Sequence, residues 1–181
     1  MYPETIEAGH WLVGDLESRG LFLNEQPVGE IQASPLNKEQ QQLYLTAWLS
    51  IAHAQRELQQ HAKAELAYQQ IVDYLAANPS SPFYAQYYTA TVDNFAASIY
   101  RQGETLMAAG DNVAAAKVFV RIIEQAPNSA IRVSAQHDAS ALLLQASQWS
   151  QAIALMTDFQ SRFPDHAETP AIPARLLEAY V

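Results

Sequence analysis

The chain of 181 residues has no cysteine. That excludes disulfides, thiolate zinc sites and thiol nucleophiles together, and it suits the cytosol and the periplasm alike. Cations are also few: ten Lys and Arg against nineteen Asp and Glu give a net charge of −9. They stand singly from Arg19 to Arg175. A phosphate backbone is neutralised by clustered cations, so nucleic acid is not expected as a partner, and an anionic membrane surface is disfavoured likewise. Apolar runs fall short of the roughly 20 residues that span a bilayer, so no direct membrane insertion is expected of this segment. The start, "MYPETIEAGHW", lacks the basic and apolar regions of a signal peptide. Strict apolar/polar alternation, the mark of a half-buried strand, is missing throughout.

What is present is apolar surface at helical spacing. Hydrophobic residues make up 49% of the chain and charged ones 16%, enough for a packed core. Thr5 to Arg19 carries Ile6, Gly9, Leu12, Val13 and Leu16 on one helical face, with Gly20 as a stop. Leu21 to Pro35 has no sustained period and reads as a long connection, its "LFL" tucked against a neighbour; such a loop is either functional or an irregular repeat junction, and the junction is favoured. Asn37 caps a helix whose apolar face is Leu43, Ala47, Trp48, Ile51, Ala52 and Leu58. A helix from about His61 follows, with Ala64, Ala67, Tyr68, Ile71, Val72 and Leu75, and ends at "ANPSSP". Pro82 takes a first-turn position after the candidate caps Ser80 and Ser81 and opens a helix of about 26 residues, near 40 Å long. Gly110 ends that helix, and Asp111 or Asn112 caps the next, Val113 to Gln125, which stops before Pro127. Ser129 to Ala146, Trp149 to Arg162 and Pro170 onward repeat the scheme.

The helix pairs share a register. Ala115, Phe119, Ile122 and Pro127 lie at offsets 0, 4, 7 and 12, as do Ala152, Met156, Phe159 and Pro164. Ala64, Tyr68 and Ile71 give the first three again, with the proline delayed to Pro79. Gly103, Ser140 and Ala52 fall 12 residues before those alanines, and Ile99, Gln136 and Trp48 fall 16 before. Short side chains recur because antiparallel helices approach closely only there, and the larger residue one turn later fills the gap to the next pair.

These residues resemble the tetratricopeptide repeat family, whose unit of about 34 residues places Trp, Leu, Gly or Ala, Tyr, Ala, Phe, Ala and Pro at fixed spacing. Trp48, Ile51, Ala52, Ala64 and Tyr68 meet the pattern in one unit. Ile99, Gly103, Leu106, Ala115, Phe119, Ile122 and Pro127 meet it in a second, and Ala139, Ser140, Leu143, Ala152, Met156, Phe159 and Pro164 in a third. The alanine-to-alanine steps are 51 and 37. Repeats of this length, closing on "SRFPDHAETPAIPARLLEAY", are similar to the periplasmic tetratricopeptide proteins of Gram-negative bacteria, such as outer-membrane-assembly lipoproteins and Tol-Pal partners. That likeness implies a periplasmic or outer-membrane-associated location.

The resemblance implies an all-α fold, a right-handed α-α superhelix built as a solenoid of antiparallel helix pairs. The layout expected is one helical repeat domain over 1–181. Within it, 1–36 is a partial repeat and irregular loop, 37–79 the first repeat and 80–128 the second with a lengthened first helix. Residues 129–167 form the third, and 168–181 start a further helix. Because "IPARLLEAYV" stops without a helix-ending signal, the chain reads as a piece of a longer protein.

Little in the sequence carries chemistry. His10, His53, His61, His137 and His166 form no i, i+4 pair, so no metal or other cofactor is expected. Ser134, His137 and Asp138 share one helical turn without the separate orienting group that a catalytic triad needs. "GHWLVG" and "RQGETLMAAG" follow no strand and are not phosphate loops. The chain is therefore read as non-catalytic, a scaffold or adaptor that binds a protein or peptide.

In tetratricopeptide arrays the first helix of each pair lines the concave face. The resemblance therefore places Leu49, His53 and Arg56, then Tyr100, Glu104 and Met107, then His137, Ala141 and Leu144 in a partner-binding groove suited to a peptide or helix. Clamps for the acidic C-terminus of chaperones use Lys and Asn where Leu49 and His53 stand, which argues against that role. The aromatic run "PFYAQYY" has two readings: Tyr84, Tyr87 and Tyr88 pack on the preceding pair, or they form a surface for self-association.

Overall fold

The computed structural model describes residues 2–18 and 36–180. The connection read at Leu21 to Pro35, and the stop at Gly20, lie outside the described residues. Within them run α1 (Tyr2–Ser18), α2 (Lys38–Glu57), α3 (His61–Ala77), α4 (Tyr84–Ala108), α5 (Asn112–Gln125), α6 (Ile131–Gln145), α7 (Trp149–Arg162) and α8 (Ile172–Tyr180). A 3₁₀ turn at Thr169–Ala171 precedes α8, and no strand occurs among the described residues. The chain divides into two compact units, 1–94 and 95–181, with the division inside α4.

In the first unit, Asn37 opens α2 with a reciprocal capping box. Its side chain accepts from the Gln40 backbone N–H at 3.0 Å, and the Gln40 side chain accepts from the Asn37 N–H at 3.0 Å. The face that α2 buries is wider than its apolar spacing predicts. Tyr44, Leu45, Ala47, Ile51, Ala52, Ala54 and Gln55 are buried, whereas Leu43 and Leu58 are exposed. The difference arises because α2 packs against both α1 and α3, so one three-four stripe does not cover its contacts. Gly9 is where α1 meets α2: a Cβ there would lie 2.5 Å from Ile51 Cγ1. On α3 the repeat residues Ala64, Tyr68 and Ile71 are fully buried.

Pro82 does not hold the first-turn position expected of it. Phe83 accepts the first helical hydrogen bond, from the Tyr87 N–H at 3.0 Å, so α4 begins after Phe83 and Pro82 stands outside. Ser81 turns the chain instead, accepting from the Phe83 N–H at 3.3 Å and donating to Gln41 on α2 at 2.8 Å. Helix α4 has 25 residues, close to the length expected.

In the second unit Ala115, Phe119 and Ile122 on α5 and Ala152, Met156 and Phe159 on α7 are buried, as are Ile99, Gln136 and Ser140 on the first helices. Asp111 caps α5 through the Ala114 N–H at 3.0 Å. Gly103 brings α4 onto α5, since a Cβ there would come within 2.3 Å of the Phe119 ring. Helix α6 packs on α5 and α7, and α8 packs on α7.

The turns repeat more strictly than the side chains. Inside each pair, a residue five before the repeat alanine takes a left-handed backbone: Gln59 at φ 57°, Gly110 at φ 82° and Ser147 at φ 57°. The same two bonds close each turn. They are Gln59 N–H to Arg56 O and Gln60 N–H to Gln55 O in the first, and Gly110 to Met107 and Asp111 to Leu106 in the second. Ser147 to Leu144 and Gln148 to Leu143 complete the set, all at 2.8–3.0 Å. Between pairs, Asn78, Ala126 and Phe163 precede Pro79, Pro127 and Pro164 and share φ near −130° with ψ near 60°. The proline ring forbids helical backbone in the residue before it, which ends each second helix at the same point. Three residues on, Ser81, Ser129 and His166 return a hydrogen bond to those residues, and each accepts with its side chain from the N–H two positions later.

Candidate partner-binding surface

The nine residues assigned to a groove occupy three repeat positions, 15, 11 and 8 residues before Ala64, Ala115 and Ala152. None of the nine is buried. The residue before each of two of them is buried: Gln136, fully, before His137, and Gly103 before Glu104. The first helices thus bury their contacts with the neighbouring helices and leave these positions unburied.

In the first unit, Leu49 is half-buried and His53 is exposed. The His53 ring lies 5.9 Å from the Tyr68 ring, centroid to centroid. Arg56 donates to Asn94 Oδ1 at 3.1 Å and lies 3.5 Å from the Glu57 carboxylate. In the second unit, Met107 is exposed at 41%, Ala141 and Leu144 are half-buried, and Glu104 pairs with Arg101 at 2.7 Å.

Tyr100 and His137 have a different standing, because both are already engaged within the chain. The Tyr100 hydroxyl donates to Asp138 Oδ2, and its ring lies 4.9 Å from that of Phe119. Burial, followed by that bond to a carboxylate, raises the Tyr100 pKa and keeps the phenol protonated. His137 Nδ1 is 3.1 Å from Asp138 Oδ1, and its Nε2 is 3.1 Å from Arg175 Nη1. Arg175 in turn lies 3.5 Å from Glu168. A polar chain therefore crosses α4, α6 and α8. Beside it, His137, Ser140, Met156, Phe159, Glu168, Ile172 and Arg175 line a recess with room for about one water molecule.

Sequence reasoning missed a second polar cluster, between α6 and α7. Arg132 is buried and donates to Asp158 Oδ2 at 2.9 Å, and its guanidinium lies 5.6 Å from the Phe163 ring centroid. Gln136 donates to the same oxygen at 2.8 Å and to Leu155 O at 2.9 Å, and Arg162 donates to Asp158 Oδ1 at 2.8 Å. Burial pushes the Asp158 pKa up, yet hydrogen bonds from Arg162 and Gln136 and the charges of Arg162 and Arg132 bring it below the ordinary carboxylate value. The signal available was the polar Gln136 at a position held by Trp48 and Ile99 in the other pairs.

The remaining candidates are dispersed. Among the described residues no three His, Cys, Asp or Glu side chains are grouped to hold a metal ion, and no helix is long and apolar enough to cross a membrane. Ser134 is exposed, and the His137 nitrogens face Asp138 and Arg175. His10 packs edge-on to Trp48, and His166 edge-on to Phe159. Tyr84, Tyr87 and Tyr88 are half-buried; Tyr84 stacks on Tyr88 with centroids 4.6 Å apart, and Tyr87 lies against the buried Phe83 at 6.2 Å.

Successive helix pairs and repeated turns define an all-α solenoid-type repeat fold. Residues 97–129 match the family model of the tetratricopeptide repeat. The match starts inside α4 and ends at Ser129, past the α5 stop, so residues 84–96 precede it. Comparison with curated proteins and with solved structures gave no match. As a family, the tetratricopeptide repeat is a protein–protein interaction module, typically without catalysis.

Proposed function

We propose that this chain is a non-catalytic scaffold or adaptor that takes a peptide or a helix of a partner protein on the open row of its first helices. The row comprises Leu49, His53 and Arg56 in the first unit, and Tyr100, Glu104, Met107, His137, Ala141 and Leu144 in the second. The observation that carries the reading is positional. Three repeat positions stay accessible in all three pairs while the repeat alanines and their large partners are buried. Core positions are held by packing, and the row combines apolar contact (Leu49, Met107, Leu144) with polar handles (His53, Glu104).

The test follows from which members are not hydrogen-bonded from one helix to another. Tyr100 and His137 hold α4, α6 and α8 together, so their removal would confound folding with binding. A variant with His53, Glu104, Met107 and Leu144 all replaced by Ala avoids that. Peptides selected from a random displayed library against the wild-type chain are expected to bind this variant at least tenfold more weakly, with the helical circular dichroism signal unchanged. Undiminished binding by the selected peptides would sink the assignment.

A setting in bacterial envelope assembly rests on the likeness in repeat length and in the closing stretch, and release of the protein by osmotic shock of its host would check it. Self-association through Tyr84, Tyr87 and Tyr88 is the other proposal. The mutual stacking of Tyr84 and Tyr88 leaves those rings less area to offer, and a mass by light scattering that stays monomeric across a concentration series removes it.

A further inference from the structure

The geometry points to a proton-operated latch at His137, which ties α8 to α6 only while its imidazole is neutral. The assignment follows from what each neighbour is able to do. Asp138 receives the Tyr100 hydroxyl on Oδ2 and presents Oδ1 to His137 Nδ1 at 3.1 Å. An ionised carboxylate only accepts, so Nδ1 carries the hydrogen. On the other side Arg175 Nη1 stands 3.1 Å from Nε2, and a guanidinium only donates, so Nε2 offers its lone pair. The neutral tautomer with hydrogen on Nδ1 is the one form of imidazole that satisfies both.

From the turn before α8, Glu168 Oε2 lies 3.6 Å from Nε2 and 3.5 Å from Arg175 Nη2. From α4, the Tyr100 phenol reaches the imidazole through Asp138, and Glu104 is paired with Arg101. From α7, the recess beside His137 is lined by Met156 and Phe159, both uncharged.

When His137 takes up a proton from water, Nε2 becomes a donor. Its hydrogen bond from Arg175 is lost, and two cations then face one another at that short distance. The new N–H points to Glu168 instead. Attachment to α6 passes from Arg175, which belongs to α8, to Glu168, which belongs to the preceding turn. Helix α8 otherwise holds on lightly: it packs on α7 and buries Ile172, while Leu177 is 68% exposed. Loss of the Arg175 bond loosens α8 and opens the recess floored by Met156 and Phe159.

Histidine is the side chain that changes charge between pH 5 and 8, which sets the range of the test. Hydrogen exchange of the whole chain, corrected for intrinsic rates, is measured at about pH 8 and about pH 5.5. The amides of α8 should lose protection severalfold at the lower pH while those of α6 and α7 do not. In His137→Gln, which has no ring to take up a proton, α8 exchange should be the same at both. Independently of that variant's folding, nitrogen shifts of the wild-type imidazole at pH 8 should show hydrogen on Nδ1. Equal α8 protection at both pH values in the wild type, an equal loss in His137→Gln, or hydrogen on Nε2 at pH 8 would each overturn the latch.

Discussion

At Gly103 the chain has no room for a methyl group. A Cβ would lie 2.3 Å from the ring of Phe119, which is fully buried and has nowhere to turn. Gly14, also helical, has nothing within 4 Å of the same position. Replacing Gly by Ala gains about 1 kcal/mol of helix propensity in an open helix, whereas overpacking a filled core costs about 1–3 kcal/mol. Gly14→Ala should therefore raise stability to denaturant and Gly103→Ala should lower it, and equal responses would remove the close approach of α4 to α5. At this scale the repeat residues were legible, because a buried alanine followed four residues later by a large side chain leaves a spacing that composition cannot hide. The left-handed residues were legible only at Gly110. Gln59 and Ser147 adopt the same conformation with nothing in their side chains to announce it, since the bonds closing each turn impose it.

The elements came through the sequence where punctuation was explicit. Pro79, Pro127 and Pro164 stop the second helices through the residue before them, and Asn37 and Asp111 start helices with their own side chains. Where two signals competed, the structure chose differently: Pro82 yielded the start of α4 to Phe83, and Leu43 and Leu58 yielded the core to Tyr44 and Leu45. The α6–α7 fastening was marked in the sequence by Gln136 alone, because Arg132, Gln136, Asp158 and Arg162 come together only when the two helices pack. Its contribution depends on the Asp158 charge. The folded-state pKa lies below the ordinary carboxylate value, so the carboxylate stabilises the fold above about pH 4 and that contribution is lost as pH falls through the lower, folded value. Asp158→Asn should cost about 2 kcal/mol near neutrality, less than for a fully buried pair because the Asp158 side chain stays 38% exposed. As pH falls through that lower value the gap between wild type and variant should narrow, as read by denaturant titration; a gap that widens there contradicts the assigned charge.

For the whole molecule, the class of protein was readable because each repeat carries the same packing instructions, and residues 97–129 carry them closely enough to match the tetratricopeptide repeat. A partner surface is less readable, since an open position leaves no packing pattern; it is marked only by register and by the absence of burial. Two of its nine candidates, Tyr100 and His137, proved to serve the fold's own polar chain, a role that depends on Asp138, Arg175 and Glu168 meeting in space. The central claim is that binding falls on the first helices of the pairs. It is tested most directly by amide chemical-shift mapping of a library-selected peptide on the isotopically labelled chain. The account predicts shifts concentrated at Leu49, His53 and Arg56 or at Glu104, Met107, Ala141 and Leu144, with α3, α5 and α7 quiet. Shifts gathered instead on those second helices, around the exposed Leu66 or Trp149, would contradict it.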